Sequence, residues 1–176
     1  MTAPADLIPV WIEGRLAPFD KLAAHLEGRR HKAVSVFVMD GNRVLIQRRA
    51  LGKYHTPGLW ANTCCTHPHW DEAPLDCAVR RLREELGIEG LTPVFADRVE
   101  YRADVGGDMT EHEVVDIFTA RAPDGLCVTA NPAEVMDVRW ITLPALLEEV
   151  AATPDRFTPW LRIYLSEYQD RIFKAA

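Results

Sequence analysis

The sequence lacks a long apolar run, a basic start and an excess of basic residues, and each absence excludes a class of protein. No apolar stretch approaches the ~20 residues that a helix needs to cross a bilayer. The first residues have neither the basic start nor the apolar stretch of a secretory signal, so we expect a cytoplasmic protein. Lysine and arginine together number 20 against 26 acidic residues, a net charge of -6. We therefore expect no nucleic-acid partner and no membrane partner, although this balance leaves room for a local basic pocket.

Cysteine is also scarce, with four residues in a chain of 176. In a protein expected in a reducing compartment they indicate free thiols, and a bridge between the adjacent Cys64 and Cys65 would be strained. The composition is 48% hydrophobic and 26% charged, which is close to the globular norm. The length suits one domain, or one domain with an added terminal segment, whose core needs no covalent support.

Hydrophobic patterning and turn residues predict a mixed α/β fold. Residues 33–38 and 43–48 are β-rich and flank a turn at 39–42, which predicts a hairpin. The remaining predicted strands cover 59–65, 94–102, 112–120 and 134–141, and the remaining helices cover 15–28, 142–152 and 159–173. Because short turns join several of the strands, we expect a sheet that is partly antiparallel, in the α/β (α+β) class.

The clearest helix is predicted over 74–86. It begins with an acidic turn and Pro74, and Gly87 follows its last residue. Its apolar residues form one stripe at helical spacing, namely Leu75, Ala78, Val79, Leu82 and Leu86. Its polar face carries two i,i+4 pairs, namely Arg80–Glu84 and Arg81–Glu85. From spacing alone this is a solvated face whose ion pairs contribute ~0.3–0.5 kcal/mol each.

A pair of carboxylates lies in a later strand. Glu111 and Glu113 are two residues apart, so on a strand they share one face, which Val115 and Ile117 continue. The pair would then lie where a buried face opens to a site. Taken alone, the pair is more typical of a charged edge strand, and a lone histidine is more often a surface or hydrogen-bonded residue than a ligand.

The segment from Glu72 to Ile88 resembles the Nudix box, the helix that holds a divalent metal against a diphosphate. The matching positions are Glu72, Arg80, Leu82, Glu84, Glu85, Gly87 and Ile88. Two positions depart from the box, because Thr66 stands where it begins with glycine and Arg81 stands where it has its first helical glutamate. Carboxylates one turn apart on a helix converge on a hard cation. The loss of one carboxylate to Arg81 argues against ordinary Nudix hydrolysis.

The chain as a whole resembles the type 1 isopentenyl-diphosphate delta-isomerases, a branch of the Nudix superfamily. The resemblance runs from about Lys21 to Trp160 and includes a Trp-x-Asn-x-x-Cys-x-His-Pro string and the Glu-x-Glu pair. The supporting strings are 21–25 with His31, 47–53, 57–68, 80–87, 101–102, 111–113, 132–140 and 157–160. The resemblance implies a mixed β-sheet sandwiched by helices, in a single catalytic domain over 1–176. Residues 1–30 would form an N-terminal extension that contributes a metal ligand.

The resemblance also implies two metal sites. The first would hold Mn²⁺, Zn²⁺ or Mg²⁺, and its ligands map to His25, His31, His67, Glu111 and Glu113. Mixed nitrogen and oxygen ligands do not select among these metals. The second would hold Mg²⁺ with the substrate diphosphate, through Glu85 and the main-chain oxygen of Cys65.

The remaining family positions map to catalytic and substrate-binding residues. Cys65 and Glu113 match the catalytic pair, and Tyr101 matches the residue that hydrogen-bonds the catalytic glutamate. Trp160 matches the aromatic over the hydrocarbon, where cation–π attraction is worth ~1–2 kcal/mol when desolvated. The basic positions near the diphosphate map to Lys21, Arg49, Lys53 and Arg81. Cys65 is preferred to its neighbour because it stands two residues before His67.

The resemblance therefore implies an isomerase that converts isopentenyl to dimethylallyl diphosphate by protonation and deprotonation. Its partner would be a small isoprenoid diphosphate, and the chain would be a monomer or a homodimer. One alternative is a Nudix hydrolase of a nucleoside diphosphate derivative. Another is a non-catalytic zinc module built from Cys64, Cys65 and His67, although tetrahedral zinc usually takes cysteines spaced two to four residues apart.

Overall fold

The structure, a computed structural model, describes residues 7–174. The strands are β1 (Leu7–Ile12), β2 (Arg15–Asp20), β3 (His31–Asp40), β4 (Arg43–Arg49), β5 (Trp60–Ala61), β6 (Cys64–Thr66), β7 (Val94–Gly106), β8 (Met109–Arg121) and β9 (Val135–Thr142). The helices are α1 (Lys21–Leu26), α2 (Pro74–Leu86), α3 (Leu143–Ala152), α4 (Pro159–Glu167) and α5 (Gln169–Ile172), with a 3₁₀ turn at Pro154–Arg156. None of the described helices is long and apolar enough to cross a membrane.

Within residues 7–174 the nine strands form one mixed sheet, and β3 is its hub. Strand β8 runs parallel to β3, from the pair His31–Glu113 to the pair Met39–Arg121. Strand β6 runs antiparallel to β3, with Cys65 opposite Ser35. Strand β7 pairs with β8, and β9 with β4, both antiparallel. The site residues of two neighbouring strands are therefore registered against β3.

Side chains that alternate along β3 feed two separate cores. Val34, Val36 and Val38 pack with α2 on one face of the sheet. Ala33 and Phe37 lie on the other face, in a core that includes residues of α3, α4 and α5. The sheet is thus covered by helices on both faces, which confirms the predicted fold class.

The N-terminal prediction was wrong, because residues 15–28 do not form one helix. They contain strand β2 and the short helix α1. Glu13 and Gly14 both have positive φ, at 49° and 78°, which suits a two-residue hairpin turn between β1 and β2. Asp20 then caps α1 by accepting a hydrogen bond from the Ala23 N–H at 2.8 Å. Residues 1–6 and 175–176 of the expected domain lie outside the described residues.

The predicted hairpin between 33–38 and 43–48 forms only at its tip. Strands β3 and β4 pair at Met39–Val44 and Asp40–Arg43 and then diverge. The predicted extended piece 59–65 is split into β5 and β6, which pair with β4 and β3 respectively. The predicted C-terminal helix is likewise divided, at Tyr168, into α4 and α5. Sequence pattern found these segments but not their long-range partners.

Helix α2 has the predicted bounds. It ends at Gly87, whose φ of 62° is left-handed and whose missing Cβ would lie 2.9 Å from the Thr129 carbonyl oxygen. The predicted apolar stripe was wrong at Leu75 and Val79, which are 42% and 43% exposed. The buried face is instead Cys77, Ala78, Leu82, Glu85 and Leu86. The helix is therefore rotated so that a carboxylate faces the protein interior.

Candidate active site

The site is built where β3, β6 and β8 lie side by side. The register places Glu113 opposite His31, and Glu111 comes two residues earlier on the same face of β8. His67 follows directly after β6. Strand β8 pairs with both β3 and β7, so its carboxylates do not belong to a charged edge strand. Glu111 and Glu113 are only 2% and 1% exposed.

Backbone carbonyls fix how two of the histidines present their rings. The Nδ1–H of His25 donates to the Lys21 carbonyl at 2.6 Å, and the Nδ1–H of His31 donates to the Arg29 carbonyl at 2.7 Å. Because a carbonyl oxygen only accepts, each Nδ1 carries a proton and each Nε2 is directed inward. His25 comes from α1 and His31 from β3, so the N-terminal segment and the sheet both contribute to the cluster.

The inward-facing atoms converge on Glu111. Its Oε2 lies 3.1 Å from Nε2 of His25, 3.3 Å from that of His31 and 3.9 Å from that of His67. One nitrogen or oxygen from each of these four residues lies within 4.8 Å of the others. Glu113 joins the group through Oε1, which is 2.9 Å from Nε2 of His67. All five side chains predicted for the first metal site are therefore brought together.

The chemistry of this cluster fits a divalent cation. Among residues 7–174, Oε2 of Glu111 is buried and has no hydrogen-bond partner of acceptable geometry. An unsatisfied buried carboxylate oxygen is costly, and a bound cation would satisfy it. Burial would lower the pKa of His31, but Glu111 and Glu113 outweigh it and raise this pKa to about 10. The cluster thus favours positive charge at its centre.

The two carboxylates of the cluster differ in their proton affinity. Burial and the negative charge of Glu111 raise the pKa of Glu113 to about 7. Burial would also raise the pKa of Glu111, but the surrounding imidazoles of His25, His31 and His55 hold it well below its usual range. The Tyr101 hydroxyl donates to Oε2 of Glu113 at 2.5 Å. Glu113 is therefore the carboxylate that can exchange a proton near neutral pH.

The thiol of Cys65 lines the same cavity as Glu113. Ser35 donates a hydrogen bond to its Sγ at 3.2 Å, and the Ser35 hydroxyl is also 3.0 Å from the Tyr164 hydroxyl. Burial raises the pKa of the Cys65 thiol well above its usual value, so the sulfur holds its proton at neutral pH. The adjacent Cys64 packs into the opposite core beside α2. The two thiols face opposite sides of the sheet, which rules out a zinc module that uses both.

Basic side chains form the rim of this cavity. Lys21, Arg49, Lys53 and Arg81 line it, together with Trp160. The Arg49 guanidinium lies 5.2 Å from the centre of the Trp160 ring, which is buried. All the residues predicted to bind substrate therefore border the cavity that contains Cys65 and Glu113.

Four predicted site residues do not line the cavity itself, and His25, His31 and Tyr101 reach it through Glu111 and Glu113, whereas Glu85 contacts neither of these carboxylates. Glu85 is 4% exposed and accepts hydrogen bonds from Gln47 Nε2 at 2.7 Å and from Arg81 at 2.5 Å. Arg81 also approaches Glu134, whose carboxylate forms an ion pair with Lys53. Arg81 thus lies between the buried carboxylate of Glu85 and the basic rim of the cavity. The interpretation of this helix face as solvated was wrong for Glu85.

Sequence reasoning missed several residues around the site, and four of them are polar residues that pair with a predicted site residue. Ser35, Gln47, His55 and Glu134 each contact a predicted site residue. Only His55 offered a signal, as a histidine in a loop rich in glycine and proline, and that signal is weak. The others are ordinary polar residues whose partners are distant in the chain.

Comparisons with known proteins agree with this fold. A family model of the NUDIX domain matches residues 29–161. A crystal structure from Deinococcus radiodurans is similar over 90% of this chain and 96% of its own, with a TM-score of 0.73 and 19% identity. A MutT protein from Methanosarcina mazei is similar over 80% of this chain and 93% of its own, with a TM-score of 0.63 and 16% identity. The fold and the family match define a NUDIX-domain protein.

Curated relatives show which kind of NUDIX-domain protein the chain is similar to. A protein of Cereibacter sphaeroides, named isopentenyl-diphosphate delta-isomerase, is 67% identical over 168 residues, or 96% of this chain and 95% of its own. Proteins of the same name from Dinoroseobacter shibae and Ruegeria pomeroyi are 66% and 62% identical, covering 96% and 95% of this chain and 96% and 93% of their own. The chain belongs to the isopentenyl-diphosphate delta-isomerase family of enzymes.

Proposed function

We propose that this chain interconverts isopentenyl and dimethylallyl diphosphate, with Cys65 and Glu113 as the two proton-transferring groups. The observation that carries the proposal is a single cavity lined by this thiol, this carboxylate and a rim of basic residues. A hydrolase that uses the Nudix box would hold metal with several carboxylates of α2. Here Arg81 stands in place of the first of them.

The reaction moves a double bond by one position, so one carbon gains a proton and another, two carbons away, loses one. Protonation first would give a tertiary carbocation. The site therefore needs an acid, a base and a pocket that excludes water. Cys65 holds a proton at neutral pH, and Glu113 can hold or release one because its pKa is about 7. Tyr101 orients the carboxylate by donating to its Oε2.

The binding of a diphosphate head group is assigned to the rim. Lys21, Arg49, Lys53 and Arg81 would neutralise its charge, and guanidinium groups match phosphate oxygens in pairs. Trp160 would cover the hydrocarbon tail, where its ring stabilises developing positive charge. Arg49 contacts the same ring, so it positions Trp160 as well as binding the anion.

Two cations complete the proposal. His25, His31, His67, Glu111 and Glu113 would hold Mn²⁺, Zn²⁺ or Mg²⁺, and Glu85 with the Cys65 carbonyl would hold Mg²⁺ alongside the diphosphate. A cation bound in the first cluster supplies positive charge that lowers the pKa of Glu113 and fixes its orientation. The unsatisfied Oε2 of Glu111 supports the first assignment.

We also infer that the whole chain is one catalytic domain in the cytoplasm. Strand β1 pairs with β3, and α1 contributes His25 to the cluster, so residues 7–29 are integrated with the sheet. The four cysteines are all free, which agrees with a reducing compartment.

Incubation with isopentenyl diphosphate in deuterated water, with and without a chelator, tests the reaction. We expect deuterium in dimethylallyl diphosphate, no release of phosphate and loss of the label when metal is chelated. Release of phosphate without an allylic product would overturn the proposal in favour of hydrolysis.

A further inference from the structure

We propose that His55 is a positioning residue that holds the carboxylate of Glu111 in place for the bound cation. His55 belongs to the loop between β4 and β5, yet it is only 5% exposed. It lines the same cavity as Cys65 and Glu113. The proposal goes beyond the ligand set assigned above, and it rests on the proposed metal site.

The two oxygens of Glu111 have separate surroundings. Oε2 faces the Nε2 atoms of His25, His31 and His67. Oε1 lies on the other side, 3.0 Å from Nε2 of His55. One oxygen is thus available for the cation while the other is within hydrogen-bonding distance of a fourth imidazole. This division is what distinguishes a supporting residue from a direct ligand.

The second ring nitrogen indicates which proton the imidazole carries. Nδ1 of His55 is 3.0 Å from the Thr56 hydroxyl, which can donate to it. An ionised carboxylate only accepts, so Nε2 must carry the proton that is shared with Glu111. The result is a directed chain from the Thr56 hydroxyl, through the His55 ring, to Oε1 of Glu111.

His55 is held in place by contacts with neighbouring residues, although the backbone of the next residue in the loop is strained. Thr56 has a φ of 47°, a left-handed conformation that is unusual and strained for a β-branched residue. Arg49 compensates by donating to the His55 carbonyl at 3.1 Å and by exchanging backbone hydrogen bonds with Leu59 and Gly58. The Trp160 ring meets the His55 ring edge-on, with centroids 5.8 Å apart.

These contacts connect the metal cluster with the substrate rim. Arg49 and Trp160 are predicted to bind substrate, and they contact the His55 carbonyl and the His55 ring respectively. Residues that orient metal-binding groups typically change metal affinity by about 10- to 100-fold when they are removed. We therefore expect His55 to act first on metal affinity, and on turnover through it.

The test uses purified full-length protein stripped of metal and titrated with Mn²⁺ in a calorimeter. We expect His55→Ala to bind Mn²⁺ about 10- to 100-fold more weakly than the wild type. His55→Gln keeps an N–H donor of similar reach, and we expect it to recover most of the affinity. His112→Ala is the matched control, because His112 lies between the two glutamates but faces Glu100 at the surface. We expect its Mn²⁺ affinity to be unchanged.

The absorption spectrum of the Co²⁺-loaded protein separates support from ligation. A positioning residue leaves the donor atoms the same, so His55→Ala should keep the wild-type band positions at saturating Co²⁺. A spectrum altered in the way that His67→Ala alters it would make His55 a ligand and overturn the proposal. If His55→Ala does not fold, Thr56→Val decides instead, and a smaller loss of Mn²⁺ affinity is expected.

Failure of this inference is distinguishable from failure of the proposed function. If the wild type binds no divalent cation, the metal site itself is refuted. If the wild type binds Mn²⁺ and His55→Ala binds it equally well, only the role of His55 is refuted.

Discussion

The two ends of the cavity handle charge in opposite ways. At the buried end, the cluster of His25, His31, His67, Glu111 and Glu113 contains a carboxylate oxygen with no hydrogen-bond partner among the described residues. At the rim, two of the four basic side chains are already paired, Lys53 with Glu134 and Arg81 with Glu85. The buried end can therefore accept a cation with little rearrangement, whereas Lys53 and Arg81 must exchange partners to accept an anion.

The rim is also crowded with like charge. Burial, together with the charges of Lys53 and Arg81, lowers the pKa of Lys21. Burial would raise the pKa of Glu134, but its hydrogen bond with Lys53 and the nearby Arg81 outweigh this and lower it. Glu134 thus relieves the repulsion among the basic residues, and a diphosphate would relieve it more. Glu134 holds these basic residues together, and for that reason it would compete with a bound diphosphate for them.

The largest expected effect is on Cys65 and Glu113, the two groups that we propose transfer protons. Cys65→Ala and Glu113→Gln each remove one proton carrier, so we expect the turnover number to fall about 10²- to 10⁴-fold. The measurement is deuterium incorporation into dimethylallyl diphosphate under saturating substrate.

Cys64→Ala is the matched control for this prediction. Cys64 is fully buried in the core beside α2, so its loss should cost about 1 kcal/mol of stability and leave turnover nearly intact. Equal losses in Cys64→Ala and Cys65→Ala would contradict the assignment of the thiol.

Removal of the metal should test the buried end of the cavity through the stability of the folded protein. A cation that binds only the folded protein at 100 times its Kd stabilises it by about 2.7 kcal/mol. We expect a chelator to lower the melting temperature by about 5–10 °C in the wild type. The same treatment should have a much smaller effect on Glu111→Gln, which lacks the central ligand. A wild-type melting temperature that does not change when the chelator is added would show that the cluster binds no cation.

The parts of the molecule also differ in how far the sequence could predict them, because some depend on local spacing and others on long-range strand pairing. Glu111 and Glu113 were predictable as neighbours from their spacing on a strand. Their approach to His31 was predictable only through a family resemblance, because no local pattern states that β8 is parallel to β3. Helix α2 was predictable from its own spacing and from Gly87. The strands β1 and β2 were missed, since two short strands and a turn contain few residues to distinguish them from a helix.

The environment of each residue was harder to predict than its position. Glu85 has the spacing of a surface residue, and it is buried because Gln47, remote in the chain, supplies a donor for it. His55 offers only a weak signal in the sequence, since its role depends on where the loop places it. Contacts of this kind are tertiary, and composition and periodicity do not encode them individually.

An ion pair between Arg80 of α2 and Glu72, in the turn before that helix, provides a comparison with the pairs of the rim. Arg80 donates to both oxygens of Glu72, at 2.6 and 2.7 Å, and the His69 N–H donates to Oε2 at 2.9 Å. Burial would raise the pKa of Glu72, but these contacts outweigh it and lower it. We expect Glu72→Gln to reduce the free energy of unfolding by about 1–3 kcal/mol at neutral pH.

The pH dependence of this loss follows from the direction of the shift. A carboxylate whose pKa is lower in the folded state contributes stability that is present above its unfolded pKa, about 4.3, and is lost as the pH falls. Wild type and Glu72→Gln should therefore converge in urea unfolding as the pH is lowered through this region. A difference that stays constant down to the acid limit would mean that the carboxylate charge is not responsible. The KM for substrate should change little, because Glu72 does not line the cavity.

The smallest expected effect is at the rim, and its sign is the sharpest test of partner exchange. Glu134→Gln removes the carboxylate that competes for Lys53 and Arg81, so we expect the KM for isopentenyl diphosphate to fall by about 2- to 10-fold, the equivalent of a weak ion pair. Turnover at saturation should be unchanged, since Glu134 is remote from Cys65 and Glu113 in the proposed mechanism. Lys53→Met is the opposing variant and should raise KM, because it removes a cation from the same pair. A higher KM in Glu134→Gln would mean that this carboxylate positions Lys53 for the substrate. The rim residues would then not have to give up an ion-pair partner to bind the anion, and the contrast with the buried cluster would fail.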